Sequence, residues 1–268
     1  MSRRSGPHRP QNPPWRTDAK PAATARRAHR AADERVTLFG LHAVEAALAN
    51  PKRTLIRLIA TDNAAHRLAP LIAKRGVAVE HAAPRDLDRL LGPEVVHQGV
   101  ALEAEHLEPV GLDEVDANGI LVALDQVTDP HNVGAVLRSA AAFGAAGLIL
   151  TERHSPPLSG ALAKVASGAL DLVPIVLVKN LAQCLAELGE RGVLRIGLAE
   201  EGEAALETLP LAKPLALVLG AEGKGLRHLT REHCDRLARI STKSALASLN
   251  VSNAAAIALH WASLNASG

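Results

Sequence analysis

Three short segments of this chain hold residue types that could do chemistry, each at the end of an apolar run. The first is Asp125-Gln126-Val127-Thr128-Asp129-Pro130-His131-Asn132-Val133-Gly134, continuing to Arg138. Asp129 or Asn132 can cap a following helix, and Pro130 is accepted in its first turn. Gly134 removes a side chain where something must come close. Asn132 and Arg138 reach one ligand only if Asn132 precedes the regular helix. By spacing alone, a capped helix with a surface arginine is the simpler reading. The second segment, Gly220-Ala221-Glu222-Gly223-Lys224-Gly225, follows the run Leu215–Leu219. Its glycines let a backbone turn sharply and approach a ligand. It is neither GxGxxG nor GxxxxGK[ST], and it follows the fifth strand of its series rather than the first, which speaks against an ordinary dinucleotide or P-loop site. The third is a Ser/Lys/Thr loop from Ile240 to Ala247, then Ser248-Leu249-Asn250-Val251-Ser252-Asn253. Ser248 or Asn250 could be plain N-caps, but four polar residues in six exceed what capping requires. A helix N-terminus there suits a carboxylate or phosphate.

The elements that must position these loops read as two α/β units. The first covers residues 36–107. Helices are expected over Gly40–Asn50, Asp62–Arg75 (Asp62 or Asn63 as cap, Gly76 just beyond the end) and Pro84–Leu91. Strands are expected over Thr54–Thr61, Val77–Glu80 and Gly99–Glu105. Residues 108–118 carry Pro109, Gly111 and several acids without periodicity, and read as a linker. Over 119–268, apolar strands at Ile120–Asp125, Gly147–Thr151, Leu172–Val178, Leu194–Leu198, Leu215–Gly220 and Leu237–Ile240 alternate with helices at Val133–Phe143, Leu158–Ala169, Leu181–Gly189 and Leu226–Cys234. That alternation predicts a parallel sheet covered on both faces, with ligands at the carboxyl ends of its strands. A last helix from Leu249 to about Leu264 is apolar almost all round and so buried.

Composition bounds the function. Hydrophobic residues make up 47% and charged residues 22% of 268, which is a globular profile. No apolar run approaches a membrane span, and no secretory segment is present, so a cytoplasmic protein is expected. The two cysteines, Cys184 and Cys234, read as small buried hydrophobes rather than reactive thiols. Twelve histidines show no HxH or HExxH spacing, and no metal is assigned. The net charge of +2 hides an asymmetry. Residues 1–35 hold nine Lys/Arg against three Asp/Glu, a net of +6, leaving −4 on the rest. This Pro- and Arg-rich stretch reads as a disordered tail, either a phosphate-binding arm or a solvated extension. Its prolines Pro7, Pro10, Pro13 and Pro14 disfavour the amphipathic helix of a transit peptide. The aromatics are Trp15, Phe39, Phe143 and Trp261 alone, too few for a base-stacking platform of the RRM type.

Taken together and in order, Asn132-x-Gly134-x-x-x-Arg138, Leu219-Gly220-Ala221-Glu222-Gly223-x-Gly225 and Ser248-Leu249-Asn250-Val251-Ser252 resemble the three motifs of the SpoU family, in the SPOUT superfamily of knotted methyltransferases. The likeness spans about 120–264. Phe39-Gly40-Leu41-His42-Ala43-Val44 and His97-Gln98-Gly99-Val100-Ala101 resemble the substrate-binding domain of the branch that methylates a guanosine ribose in bacterial 23S rRNA, and Arg227–Asp235 is similar to it too. The resemblance implies an α/β fold in two parts: a small N-terminal α/β substrate-binding domain, and a C-terminal domain threading a trefoil knot, an exception to the usual rule. It implies S-adenosyl-L-methionine held by backbone and apolar contacts at Gly220, Ile240 and Leu249, with Ala221 beside them. It implies Asn132, Arg138, Glu222, Ser248 and Asn250 as the polar positions of the active site. It further implies a homodimer paired through the catalytic domain, with RNA, not DNA, as substrate. Ser241-Thr242-Lys243-Ser244 departs from the family's usual Pro and Gly there.

The chemistry implied is methyl transfer from a sulfonium to a ribose oxygen, which needs alignment and a base near the hydroxyl. Arg138 is the family's candidate base. Its pKa above about 12 makes a phosphate clamp at least as reasonable, and Glu222 is the better base on pKa grounds. Rival readings are an enzyme for tRNA or another rRNA site, a non-catalytic RNA-binding assembly factor of the same fold, and a nicotinamide dehydrogenase. The appended N-terminal unit, the intact polar set and the missing dinucleotide fingerprint speak against these in turn.

Overall fold

The computed structural model describes residues 35–116, 118–158, 160–243 and 249–266. The tail reading therefore lies outside the described residues, apart from Arg35. That residue pairs with Glu105 at the start of the first strand. The N-terminal elements are β1 (Arg35–Phe39), α1 (Leu41–Ala49), β2 (Leu55–Ala60), α2 (Asp62–Arg75), β3 (Val79–His81), α3 (Pro84–Leu91) and β4 (Val100–Glu105). They form a four-stranded sheet in the order β1-β4-β2-β3. β4 runs antiparallel to β1 and β2, while β3 runs parallel to β2. Val36, Leu38, Val44, Leu48, Leu58 and Leu102 fill its core. The cap of α2 is Thr61, not Asp62 or Asn63; its side chain accepts from the Ala64 N–H. Thr61 has the extended φ/ψ a cap needs, whereas Asp62 already sits in the first helical turn.

The second series comprises β5 (Ile120–Asp125), α4 (Pro130–Ala142), β6 (Gly147–Thr151), α5 (Gly160–Ala166), β7 (Ile175–Val178), α6 (Leu181–Glu190), β8 (Leu194–Leu198), β9 (Ala204–Ala205), β10 (Leu215–Gly220), α7 (His228–Glu232), β11 (Arg236–Arg239) and α8 (Val251–Asn265). Seven strands pair in the order β7-β6-β5-β10-β8-β11-β9, every neighbour parallel. β5 is buried along its whole length. Ile120, Val122 and Leu124 pack into one core with α4 and α8; Leu121 and Ala123 pack into the other with α6. An apolar run without alternation is what a doubly covered strand needs. Three expected elements of this series are shorter. The expected Leu172–Val178 strand begins only at Ile175, because a 3-10 turn at Ala169–Asp171 runs on into a turn and bend over 172–173, and α5 and α7 lose their ends to turns. The expected linker is not free chain: Val110 bridges to Val176, and Val115 is buried beneath the large sheet. Among the described residues no helix is long and apolar enough to cross a membrane.

Gly134 lies against protein rather than ligand. A Cβ there would come within 2.7 Å of Val165 Cγ1 and 3.2 Å of the Ala166 nitrogen, so the glycine lets α4 and α5 pack closely. Burial pushes the thiols of Cys184 and Cys234 up from the ordinary 9.0 to about 11 and about 12. Iodoacetamide at pH 8 should therefore label neither cysteine in the folded protein and both in urea, read by mass spectrometry. Folding keeps both thiols protonated where the unfolded chain ionises them. Stability should thus fall as pH rises from 9.0 toward about 11 and about 12.

Candidate active site

The parallel register sets Gly220 beside Asp125, so the loops after β10 and β5 leave the sheet side by side. Asp129 caps α4 by accepting from the His131 N–H at 2.9 Å, and Pro130 opens the helix. Asn132, relieved of capping, stands in the first turn and reaches across. Its Nδ2 donates to Glu222 Oε1 at 2.9 Å, and its Oδ1 accepts from Asn250 Nδ2 at 3.0 Å. Asn250 Nδ2 also donates to Glu222 Oε1, while Asn250 Oδ1 caps α8 by accepting from the Ser252 N–H. One amide thus closes a helix end and ties two loops together, more than a plain cap does.

Behind this polar cluster lies a cavity of about 540 Å³, a size suited to a small organic ligand. Its walls are the loops after β8 (Leu198–Glu201), β10 (Leu219–Gly225) and β11 (Arg239–Thr242), with Leu249, Val251 and Ala254. Glu222 belongs to both cavity and cluster. Gly220, Ala221, Ile240 and Leu249 all line it. Gly220 also answers to its own loop. A Cβ there would lie 2.1 Å from the carbonyl carbon of Gly225 and 2.4 Å from Leu226 N, so the glycine is required by the loop folding on itself. A bridge between Ala221 and Gly225 closes that fold.

Arg138 is not brought to the cluster. Asn132 lies inside α4, so the condition for the two to share a site within one chain fails. Six helical residues place them about 120° apart around the axis and about 9 Å along it. The Arg138 side chain is exposed and makes no hydrogen bond or ion pair among the described residues. Ser248 lies outside the described residues.

Several positioning groups escaped the sequence reading. Asp125, fully buried at the end of β5, accepts from the Arg227 N–H at 2.9 Å and Nε at 2.7 Å, pinning the chain just beyond the glycine loop. An acid closing an otherwise apolar strand was the available signal. Arg239 Nη1 donates to the carbonyls of Gly202 and Glu203, and Arg231 pairs with Glu201, so the β8 loop is held from two sides. A backbone N–H bond and the Arg231 guanidinium hold the Glu201 carboxyl below its usual range. Ser241, where the family pattern breaks, is held by Glu207: its N–H and Oγ donate to the two carboxylate oxygens at 3.3 and 3.1 Å.

A doubly covered parallel sheet, with a backbone-walled cavity and a polar cluster at its strand ends, defines an α/β enzyme that binds a small organic cofactor. The SpoU rRNA methylase family model matches residues 119–260, and the model for RNA 2'-O ribose methyltransferase substrate binding matches 37–110. The chain is 41% identical over 233 residues to the 23S rRNA (guanosine-2'-O-)-methyltransferase RlmB of Pseudomonas aeruginosa, covering 83% of this chain and 93% of that one. It is 40% identical over 233 residues to the RlmB of Pseudomonas syringae, covering 83% and 92%. Its fold is shared with an AdoMet-bound rRNA methyltransferase from Sinorhizobium meliloti, with a TM-score of 0.71 at 24% identity over 88% of this chain and 89% of that one. The chain belongs to the SpoU rRNA methylase family, and it is an S-adenosylmethionine-dependent methyltransferase. The cavity fits that cofactor: apolar Leu198, Ile240, Leu249 and Val251 offer a face to an adenine, and Glu200, Glu201 and Glu222 offer negative charge to a sulfonium and an amino group.

Proposed function

We propose that this protein methylates the ribose 2'-hydroxyl of a guanosine in 23S rRNA, acting in the cytoplasm as a homodimer. The observation that carries this is the likeness to the RlmB enzymes, which spans both sheets rather than the catalytic one alone. Residues 36–107 would hold the RNA and 119–268 would carry out the transfer, with the knotted topology of the family in the C-terminal part. S-adenosylmethionine supplies an electrophilic methyl when bound. Around it, the loops at Gly220–Gly225, Ile240 and Leu249 exclude water. Asn132, Asn250 and Glu222 form a preorganised cluster at the mouth, where a ribose enters. The family motif implies a polar active-site role for Ser248 as well. Mapping 2'-O-methyl groups on total RNA from cells with and without the gene tests the reading. Loss of one methyl from 23S rRNA is expected, and an unchanged map overturns it.

Support for the dimer comes from α8. Ile257 and Leu264 are 42% and 69% exposed, and Trp261 stands between them on the same helical face with no acceptor for its Nε1 among the described residues. Such a stripe is unfavourable in water unless a second surface covers it. Sedimentation at micromolar concentration should show a dimer for the native chain and a monomer for Ile257→Glu/Leu264→Glu.

A further inference from the structure

The most completely buried ion pair among the described residues lies far along the chain from the active site. Arg53, in the turn between α1 and β2, meets Asp171, which closes the 3-10 turn before β7; their side chains are 2% and 0% exposed. The pair is bidentate, Nε to Oδ1 at 2.8 Å and Nη2 to Oδ2 at 2.7 Å. Arg53 Nη1 donates to the Glu105 carbonyl at 2.8 Å, where the chain leaves the small sheet. Asn50 Nδ2 donates to Asp171 Oδ1 at 3.1 Å. Arg75 in turn donates to the carbonyls of Leu48, Asn50 and Arg53, fixing the turn that carries the arginine. Backbones meet directly beside this network. A Cβ on Gly168 would lie 2.8 Å from Ala43 Cα and 3.3 Å from the His42 carbonyl. Ala163 of α5 belongs to the hydrophobic core of the small sheet.

Interfaces between domains of one chain are commonly polar and permit relative motion. Here two charges are fully desolvated, with both carboxylate oxygens and three guanidinium nitrogens engaged. Burying such a pair brings little net stability over an apolar one, and its best-supported benefit is the fixing of one geometry. We infer that Arg53 and Asp171 are positioning residues that lock the RNA-binding sheet onto the catalytic sheet, so that the distance between them selects which ribose reaches the cavity. The inference rests on the proposed RNA substrate. Neither residue touches the cavity, so the pair acts on where the RNA lies and not on the transfer itself.

Asp171→Asn removes the counter-charge and leaves the arginine buried. Its expected signature is an enlarged radius of gyration in solution scattering with S-adenosylmethionine binding unchanged. On a transcribed 23S rRNA fragment, KM should rise about tenfold while kcat falls less than about threefold, the pattern of lost ground-state positioning. Methyl groups should also appear on nucleotides flanking the normal one. Arg53→Met/Asp171→Leu replaces the pair with apolar contacts and should stay docked, keeping wild-type KM and site choice. That variant carries the test if Asp171→Asn does not fold. Unchanged scattering, KM and site choice in a folded Asp171→Asn, or a docked double variant with altered site choice, overturns the inference. A wild-type protein inert on 23S rRNA would instead refute the substrate reading, and the scattering comparison would still decide the docking.

Discussion

Gly220→Ala is expected to abolish S-adenosylmethionine binding while leaving the sheet folded. The added methyl would lie 2.1 Å from the Gly225 carbonyl carbon, 2.3 Å from its oxygen and 2.4 Å from Leu226 N. All three are backbone atoms and cannot rotate away. Relief requires the Gly220–Gly225 loop to open, breaking the Ala221–Gly225 hydrogen bond of 2.8 Å and moving one wall of the cavity. Overpacking against fixed atoms costs about 3 kcal/mol, a loss of about 100-fold or more in affinity. Gly223→Ala is the internal control. Gly223 has φ 73 but no atom within 4 Å of the added carbon. It should lose only the left-handed backbone penalty, about 1 kcal/mol, or roughly fivefold. Titration calorimetry measures both, and circular dichroism verifies the fold. Near-native affinity in Gly220→Ala would remove this loop from the cofactor site.

The contrast shows how far the sequence could be read. That glycines at strand ends mark a site follows from their spacing. Which neighbour demands each one does not, because that is set by how helices pack and how a loop folds back on itself. Gly134 answers to Val165, and Gly220 to its own loop. Parallel strands were legible in β5 and β10 because apolar runs without alternation are buried on both faces. The start of β7 was misread, since Leu172 and Val173 are as apolar as a strand but follow a 3-10 turn that Asp171 closes. The Asn132–Glu222–Asn250 cluster was legible as three motifs, yet its hydrogen bonds depend on the β5–β10 register that sets two of the loops side by side. Asp125 and the Arg53–Asp171 pair left no periodic trace. A buried charge is explained only by its partner, which lies 102 and 118 residues away respectively.

Arg138→Ala is expected to lose about 100-fold or more in kcat while keeping full cofactor affinity, the mark of a group that acts only on the reacting complex. The family motif assigns Arg138 to the active site, whereas within one chain its guanidinium is exposed on α4 away from Asn132 and outside the cavity lining. These two facts agree only if another surface brings Arg138 to a reacting ribose, either bound RNA or the cavity of a second copy. Arg138→Lys separates two roles. A lysine releases its proton far more readily than an arginine, so a base role predicts substantial rescue. A bidentate grip on a phosphate predicts little, because an ammonium lacks the planar fork. The exposed position and the lack of a carboxylate partner among the described residues favour the phosphate grip, so kcat for Arg138→Lys should stay close to that of Arg138→Ala. Mixing Arg138→Ala with Gly220→Ala subunits then locates the grip. Activity reappears in the mixture if the arginine serves a partner's cavity, and stays absent if it serves its own. Wild-type turnover in Arg138→Ala with saturating cofactor would take the residue out of the reaction altogether.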